Sequence, residues 1–263
     1  MAVVAYSITQ SGLYEPFELQ LSRGQIADHK RLFQFGANTN VQTTTTTVWQ
    51  GTTSNYVYPS SAATLTVSSS SANDAAAGTG ARTVLVTGLD ANYAEVSETI
   101  TLTGQTAVTT TNSYLRINDF TVLTAGSGAT AAGTLYVGAG TVTSGVPATI
   151  YSLISIGYNT SAQAVWTVPA GYTAYMTSCT WAAGNTTANL LITGALLSRT
   201  TTGVFIIEST CKFNVGTSFD RHFDTPVPFA EKTDIEMRLG SSTAGSAGTA
   251  EFHIIYIKND ATL

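Results

Sequence analysis

The hydrophobic and polar positions of this chain alternate with a period of two over most of its length. In residues 81–104, Val84 and Val86 alternate with Leu85 and two threonines, a turn rich in Gly, Asp and Asn follows, and Val96 and Ile100 resume the alternation. A period of two on both sides of a turn predicts an antiparallel β-hairpin. The outward face of this hairpin consists mostly of threonine and serine, with hardly a charge.

Similar short strands fill residues 41–140, separated by loops of Gly, Ser, Asn and Ala. One strand is predicted to point Leu65 and Val67 inward. Another is predicted to contain a bulge near Asn118 and Asp119 that shifts its inward phase. Because no helical pattern interrupts these strands, their spacing predicts a sandwich or a small barrel.

A change of composition near residue 150 predicts a second antiparallel unit. Within it, residues 234–239 alternate Ile, Met and Leu, which we expect to point inward, with Asp, Glu and Arg, which we expect to point outward. Residues 251–259 are predicted to form an apolar strand buried on both faces. We therefore predict an all-β protein with two antiparallel β-sandwich or jelly-roll-like domains, a Thr-rich one at residues 37–150 and a second at residues 151–263.

Residues 1–36 differ from the remainder because they hold several of the few charges, interleaved with large apolar side chains. Alternating apolar positions are compatible with a strand over part of the segment, and Gly24 counts against one continuous helix. We interpret the segment as an extended N-terminal arm that docks on a partner. Its apolar anchors are predicted to be Phe17, Leu19, Leu21, Ile26, Phe33 and Phe35. The alternative is a first strand of the first domain, packed on its own chain.

The composition narrows the classes of function. Of the 263 residues, 43% are hydrophobic and 10% are charged, whereas soluble domains have roughly 25% charged residues. A weakly charged surface rich in Thr, Ser and Gly indicates that neighbouring subunits cover much of it. The formal net charge of −5 argues against a nucleic-acid binder. No apolar run is long enough to cross a bilayer and the start shows no signal-peptide pattern, so we expect synthesis in a cytoplasm.

The polar residues give little support for an enzyme. The three histidines belong to no metalloprotease or nucleophile-elbow motif. The densest polar cluster lies in residues 219–229, which we interpret as an irregular loop where Asp side chains cap turns and Arg221 pairs with one of them. Glu95 and Glu98 could resemble a glycosidase pair, but three residues apart in a strand they point to opposite faces. We expect no catalytic residues.

The two cysteines, Cys179 and Cys211, are expected to be buried and unbridged. Together with His222 they could in principle bind zinc. Isolated ligands lack the paired spacing that is typical of zinc sites, so we expect no metal and no cofactor.

Three parts of the chain together resemble virion structural proteins of tailed bacteriophages, particularly those of aquatic bacteria. They are residues 14–36 ("YEPFELQLSRGQIADHKRLFQFG"), residues 68–128 with "SSSSANDAAAGTGARTVLVTGLDANYAEVSETITLTG" and "AVTTTNSYLRINDFTVLTAGSG", and residues 165–178 ("VWTVPAGYTAYMTS"). The middle block is the most specific. The resemblance brings with it no catalytic or cofactor-binding residues.

The resemblance implies a non-enzymatic virion component, made in the cytoplasm of a bacterial host. Its most concrete form is a capsid decoration or cement protein that stabilises the head through homo-oligomeric contacts. The alternative is a tail, baseplate or fibre-base protein, and a third possibility is a host-surface carbohydrate-binding module. The implied partners are the major capsid protein or tail and baseplate subunits, with neither nucleic acid nor membrane among them.

Overall fold

The computed structural model describes residues 7–8, 14–51, 54–185 and 189–261. Within these ranges lie one short helix and a series of β-strands. The helix is α1 (Phe17–Ser22), and the strands are β1 (Ser7–Ile8), β2 (Tyr14–Glu15), β3 (His29–Val41), β4 (Thr46–Thr47), β5 (Ala63–Ser69), β6 (Ala81–Leu89), β7 (Glu95–Thr101), β8 (Val108–Tyr114), β9 (Arg116–Ala125), β10 (Leu135–Thr143), β11 (Val146–Ile154), β12 (Val165–Thr167), β13 (Tyr172–Gly184), β14 (Leu191–Arg199), β15 (Ile206–Asn214), β16 (Ser218–Phe229), β17 (Asp234–Ser241) and β18 (Ser246–Lys258). The predicted all-β class is therefore confirmed.

The first β unit consists of β5 to β11. These strands form two antiparallel sheets, with the orders β11-β10-β5-β8 and β7-β6-β9. One apolar cluster draws side chains from both sheets, so the sheets enclose a common core. The predicted hairpin is β6 paired with β7, in which Thr83 lies opposite Thr101. Leu65 and Val67 point into this core, as the alternation predicted.

The predicted bulge lies in β9, at Asn118. Thr87 of β6 is opposite Asp119, but the next residue, Gly88, is opposite Ile117. Asn118 is therefore left without a partner in the ladder, and the strand changes phase there.

The second β unit also encloses its core between two sheets. One has the order β16-β13-β18-β3, and the other has the order β12-β17-β14-β15, with β4 also paired to β17. The shared core contains Met176, Trp181, Ile192, Met237 and Phe252, which come from both sheets. The pairings are nested along the chain: β14 pairs with β15, β13 with β16, β12 with β17, and β3 with β18.

The first β unit is inserted into the second. β4 pairs with Arg238 and Leu239 of β17, and β12 pairs with residues 234–236 of the same strand. The two short strands thus share one edge of the sheet, and the first unit lies between them in sequence. The predicted domain boundaries after residues 36 and 150 fall inside β3 and β11, because changes of composition do not reveal pairings between distant strands.

The interpretation of residues 1–36 as an extended arm outside the β cores needs correction over its described part. Residues 17–22 form helix α1, although alternation was compatible with a strand, because Leu, Glu and Gln are good helix formers. The chain leaves the helix before Gly24, whose φ is +66°. Residues 29–36 belong to β3, an edge strand of the second unit.

Two further segments of the second unit differ from expectation. Residues 219–229 form part of β16 and not an irregular loop, and Pro226 and Pro228 are tolerated because β16 is an edge strand. Residues 251–258 lie in β18, but only one of its faces is buried, since His253 on the other face is exposed.

Candidate functional site

Strand β3 exposes two aromatic side chains on the outside of the second β unit. Phe33 is 44% exposed and Phe35 is 37% exposed, whereas Gln34 between them is buried. Single exposed apolar side chains are ordinary on a protein surface, whereas neighbouring exposed aromatic rings form an apolar patch. A strand that covers a core usually points its apolar side chains inward. In this part of β3 the polar side chain points inward and the aromatic side chains point outward.

The reversal has a steric cause at the inward side of β3. A Cβ atom on Gly36 would lie 2.1 Å from the carbonyl oxygen of Val48 and 2.3 Å from the backbone nitrogen of Ala164. The amide of Gln34 donates a hydrogen bond of 2.8 Å to the carbonyl of Gln163. Backbone of the neighbouring segments thus fills this side, which leaves no room for an aromatic ring.

The exposed rings form a continuous feature that we call the aromatic ridge, made of Phe33, Phe35 and His253. The ring centroids of Phe33 and Phe35 are 5.9 Å apart, and those of Phe33 and His253 are 4.7 Å apart. A groove of about 490 Å³ borders the ridge on the side of α1. A second groove, of about 510 Å³, borders it on the side of Tyr158.

The other predicted anchors are less accessible than the ridge, except for Leu19. Leu19 is 48% exposed on α1, while Leu21 is buried on its own chain. Phe17 and Ile26 are half-buried, and the ring of Phe17 packs edge-on against His29 at 6.3 Å. The structure therefore brings Phe17, Leu21 and Phe33 to one groove. Whether any of these residues binds a partner stays a prediction.

A buried ion-pair network joins the two β units. Arg116, next to the bulge in β9, donates from Nε to Asp234 Oδ1 at 2.7 Å and from Nη2 to Asp234 Oδ2 at 3.0 Å. Asp234 also accepts a hydrogen bond of 2.6 Å from the Thr167 hydroxyl and one of 2.9 Å from Arg199 Nε. Burial opposes the charge on Arg116, but its hydrogen bonds and charge interaction with Asp234 prevail and raise the pKa of the guanidinium.

Glu236 forms the second acidic centre of the junction. It accepts a hydrogen bond of 3.0 Å from the Tyr58 hydroxyl and pairs with Arg238. Burial raises the pKa of Glu236, and the charge of Arg238 counteracts this only in part. The inward Ile, Met and Leu of β17 are confirmed. The expectation that Asp234 and Glu236 point to solvent was wrong, because the first unit and residues 54–60 cover that face.

The unpaired bulge residue Asn118 supplies a further link between the units. Its side-chain amide donates to the carbonyl of Thr167, and its side-chain oxygen accepts from the backbone N–H of Thr167, both at 3.0 Å. At the periphery, Lys30 pairs with Glu95. These contacts connect the two β units at several points.

The residues considered above as candidates for catalysis or metal binding either make structural contacts or are exposed to solvent. Glu95 pairs with Lys30, and Glu98 accepts hydrogen bonds from the backbone of residues 111–112. His222 is exposed on β16. Among the residues that the structure describes, no three His, Cys, Asp or Glu side chains are placed to hold a metal ion, and no helix is long and apolar enough to cross a membrane.

Cys179 and Cys211 are both free thiols inside the second core. Burial raises the pKa of Cys179 to about 12. A thiol with such a pKa is protonated at neutral pH and is a poor nucleophile. The cysteines therefore act as small apolar core residues.

No protein-family model matches the chain, and no curated protein matches it. Among solved structures, the VP2 subviral particle of infectious bursal disease virus is 11% identical, with a TM-score of 0.25 and coverage of 89% of this chain and 73% of VP2. T=1 particles derived from the same virus give 12% identity and a TM-score of 0.24, with coverage of 88% of this chain and 70% of the other. TM-scores of this size do not establish a shared fold.

Proposed function

We propose that this protein is a non-enzymatic structural component of a virion, held there by contacts between its own copies and with other virion proteins. In its most specific form, which the sequence resemblance supports, it is a decoration or cement protein on the head of a tailed bacteriophage. The alternative within the same class is a tail, baseplate or fibre-base subunit.

The observation that carries this proposal is the nested pairing of the second β unit. Starting from the β14–β15 hairpin, each earlier strand pairs with a later one, ending with β3 and β18. A jelly roll has eight strands in two facing sheets, so this order supports a jelly-roll interpretation of the second unit, and jelly rolls occur in viral capsid proteins. Because lectins and cupins share this architecture, the fold alone does not decide the function.

The surface favours a particle component over a free monomer. The aromatic ridge leaves two phenylalanines substantially exposed beside two grooves. Fully burying a fully exposed side chain of this kind contributes about 1.5–3 kcal/mol, so covering the parts of the two rings that are still exposed would contribute roughly 1–2.5 kcal/mol. The low proportion of charged residues, 10%, would also limit repulsion between crowded copies.

The experiment that tests the virion assignment is quantitative mass spectrometry of purified particles. We expect the protein at hundreds of copies per virion for a head decoration, and at a dozen or fewer for a tail component. Absence of the chain from purified particles, with abundant protein in the lysate, would exclude both forms.

The ridge is tested separately by substitution. We expect Phe33→Ser combined with Phe35→Ser to leave the protein folded, because both side chains are exposed, but to abolish incorporation into particles or self-association in sedimentation. The matched control is Ile206→Ser with Ile207→Ser, which removes two exposed side chains from β15. Unchanged incorporation of the ridge variant, or equal loss in both variants, would contradict a docking role for the ridge.

A further inference from the structure

A cleft of about 830 Å³ opens beside the buried junction, between the two β units. Its walls come from the first unit, from the second unit and from residues 55–60 that connect β4 to β5. The side chains that define it are Tyr58, Tyr93, Arg116, Arg199, Phe205 and Arg238. This arginine cleft is separate from the aromatic ridge and plays no part in the proposed assembly.

The charges around the arginine cleft are distributed unevenly. Three arginines line it, and no acidic side chain is among the described residues on its wall. The carboxylates that pair with these arginines lie beneath them, with side-chain exposures of 2% for Asp234 and 1% for Glu236. The cleft therefore presents cationic groups to whatever enters it, while the compensating charges stay on the protein side.

Two of the arginines have donors to spare. Arg199 uses Nε for Asp234, and Arg238 uses Nε for Glu236. Within the described part of the chain, neither terminal Nη atom of these two residues donates to a protein acceptor, and their side chains are 27% and 17% exposed. Each guanidinium is thus held by a hydrogen bond from its Nε atom. Its Nη atoms remain available as donors to a ligand in the cleft.

Aromatic rings hold both guanidinium groups in place. The ring of Phe205 lies 4.5 Å from the guanidinium carbon of Arg199 and 5.3 Å from that of Arg238. Tyr58 contacts Arg199 at 4.3 Å. Since the two arginines share one ring, they are neighbours, and stacking has already restricted their side-chain rotamers. Pre-oriented guanidinium donors are the groups that bind carboxylate and phosphate oxygens most selectively.

We propose that the arginine cleft binds a small organic oxyanion through the free donors of Arg199 and Arg238. The volume falls in the usual range for small-molecule sites, which is about 300–1,000 Å³. A ligand of monosaccharide or disaccharide size would fit within it, with its anionic group at the arginines and its remaining surface against the tyrosines. The shared chemistry is an oxyanion on a sugar-sized ligand, supplied either as a carboxylate or as a phosphate ester.

Calorimetric titration of the full-length protein tests the proposal and distinguishes the two sources. The probes are D-glucuronate for the carboxylate, glucose 6-phosphate for the phosphate ester, and glucose as the neutral counterpart of both. We expect saturable binding of at least one anion, a rise of the thermal unfolding midpoint with its concentration, and no binding of glucose. Failure of both anions to bind, or equal binding of glucose, would overturn the proposal.

Substitutions then locate the binding site. Arg199→Gln and Arg238→Gln should each weaken the binding by at least about tenfold, because each removes charged hydrogen bonds to the ligand. Arg221→Gln is the matched control, since Arg221 also stacks on a phenylalanine, at 5.4 Å from the ring of Phe219, but lies outside the cleft. Arg199→Lys keeps the charge and protects the test against misfolding, and it should weaken binding as well because the planar fork is lost. Undiminished binding in the folded Arg199 and Arg238 variants would place the anion elsewhere and overturn the proposal.

Discussion

At the scale of single residues, the junction depends on a carboxylate shielded from solvent. Asp234 is bound by two arginines and one threonine, and its side chain is 2% exposed. Removing one partner from such a pair leaves a buried charge incompletely compensated, which is more costly than the pair itself is stabilising. A single substitution at this junction is therefore expected to lower the stability of the protein strongly.

We expect Arg116→Met to lower the free energy of unfolding by about 3–5 kcal/mol, because Asp234 then loses its bidentate partner. Urea denaturation at pH 7 measures this change. The matched control is Lys258→Met, which breaks the ion pair with Asp260 at a site where both side chains are exposed, and should cost about 1 kcal/mol or less. Similar decreases in the free energy of unfolding in both variants would contradict the larger contribution expected for the buried ion pair of Arg116.

Glu98 couples stability to pH. Its carboxylate accepts backbone hydrogen bonds of 2.9 Å from Thr111 and 3.0 Å from Asn112, which join β7 to β8. Partial burial acts to raise the pKa of Glu98, but the backbone N–H donors outweigh it, so the pKa lies below its ordinary value of 4.5. A carboxylate with a lowered pKa stabilises the folded state fully above pH 4.5, and this contribution is lost as the pH falls through the folded-state pKa.

We therefore expect Glu98→Gln to destabilise the protein by about 1 kcal/mol at pH 7, the size of an ordinary hydrogen bond at a partly exposed site. The difference from the unmodified protein should shrink as the pH falls from 4.5 towards 3. Denaturation curves at both ends of this range measure it, with Glu251→Gln as the control on another strand. A difference that grows on acidification would contradict the assigned hydrogen bonds.

At the scale of elements, β3 decides which part of the N-terminal region is dispensable. Residues 29–36 of this strand pair with residues 250–257 of β18. Deleting residues 1–28 leaves the ladder intact and should give a soluble, folded protein. Deleting residues 1–36 uncovers the edge of β18, an apolar strand, and should cause aggregation or unfolding, since such edges pair with other chains.

Circular dichroism and sedimentation of the two truncated chains measure this difference. A folded, monodisperse protein lacking residues 1–36 would restore the interpretation of the whole segment as an arm. Loss of folding after deletion of residues 1–28 alone would instead make α1 an essential part of the second unit.

The elements also show where sequence patterns succeed and where they stop. Alternation located the β6–β7 hairpin, the inward face of β17 and the bulge at Asn118, because these features depend on neighbouring residues. It could not reveal that β17 is covered on its second face, since the cover comes from a distant part of the chain. For the same reason, the ion pair of Arg116 with Asp234 carried no local signal.

At the scale of the whole molecule, the all-β class followed from the sequence, but the division into units did not. The strands that precede the first β unit in the sequence, β3 and β4, belong to the sheets of the second unit. This arrangement depends on close packing between backbone segments that are distant in the sequence. At Gly36, for example, a side chain would collide with Val48 and Ala164. The sequence alone did not single out Gly36 as a site of close packing, because Gly36 is one of 23 glycines.

The insertion has a consequence for the order in which the chain folds. Forming the β3–β18 ladder requires a long loop to close, and closure of long loops is slow and entropically unfavourable. Once the inserted unit has folded, however, its two ends are tied together, because Ala164 donates a hydrogen bond of 2.8 Å to Val48. The effective loop is then shorter by the whole insertion. Early folding of the first β unit would therefore bring the outer strands of the second unit close together. The rate at which the first unit forms would then set the rate at which these strands pair.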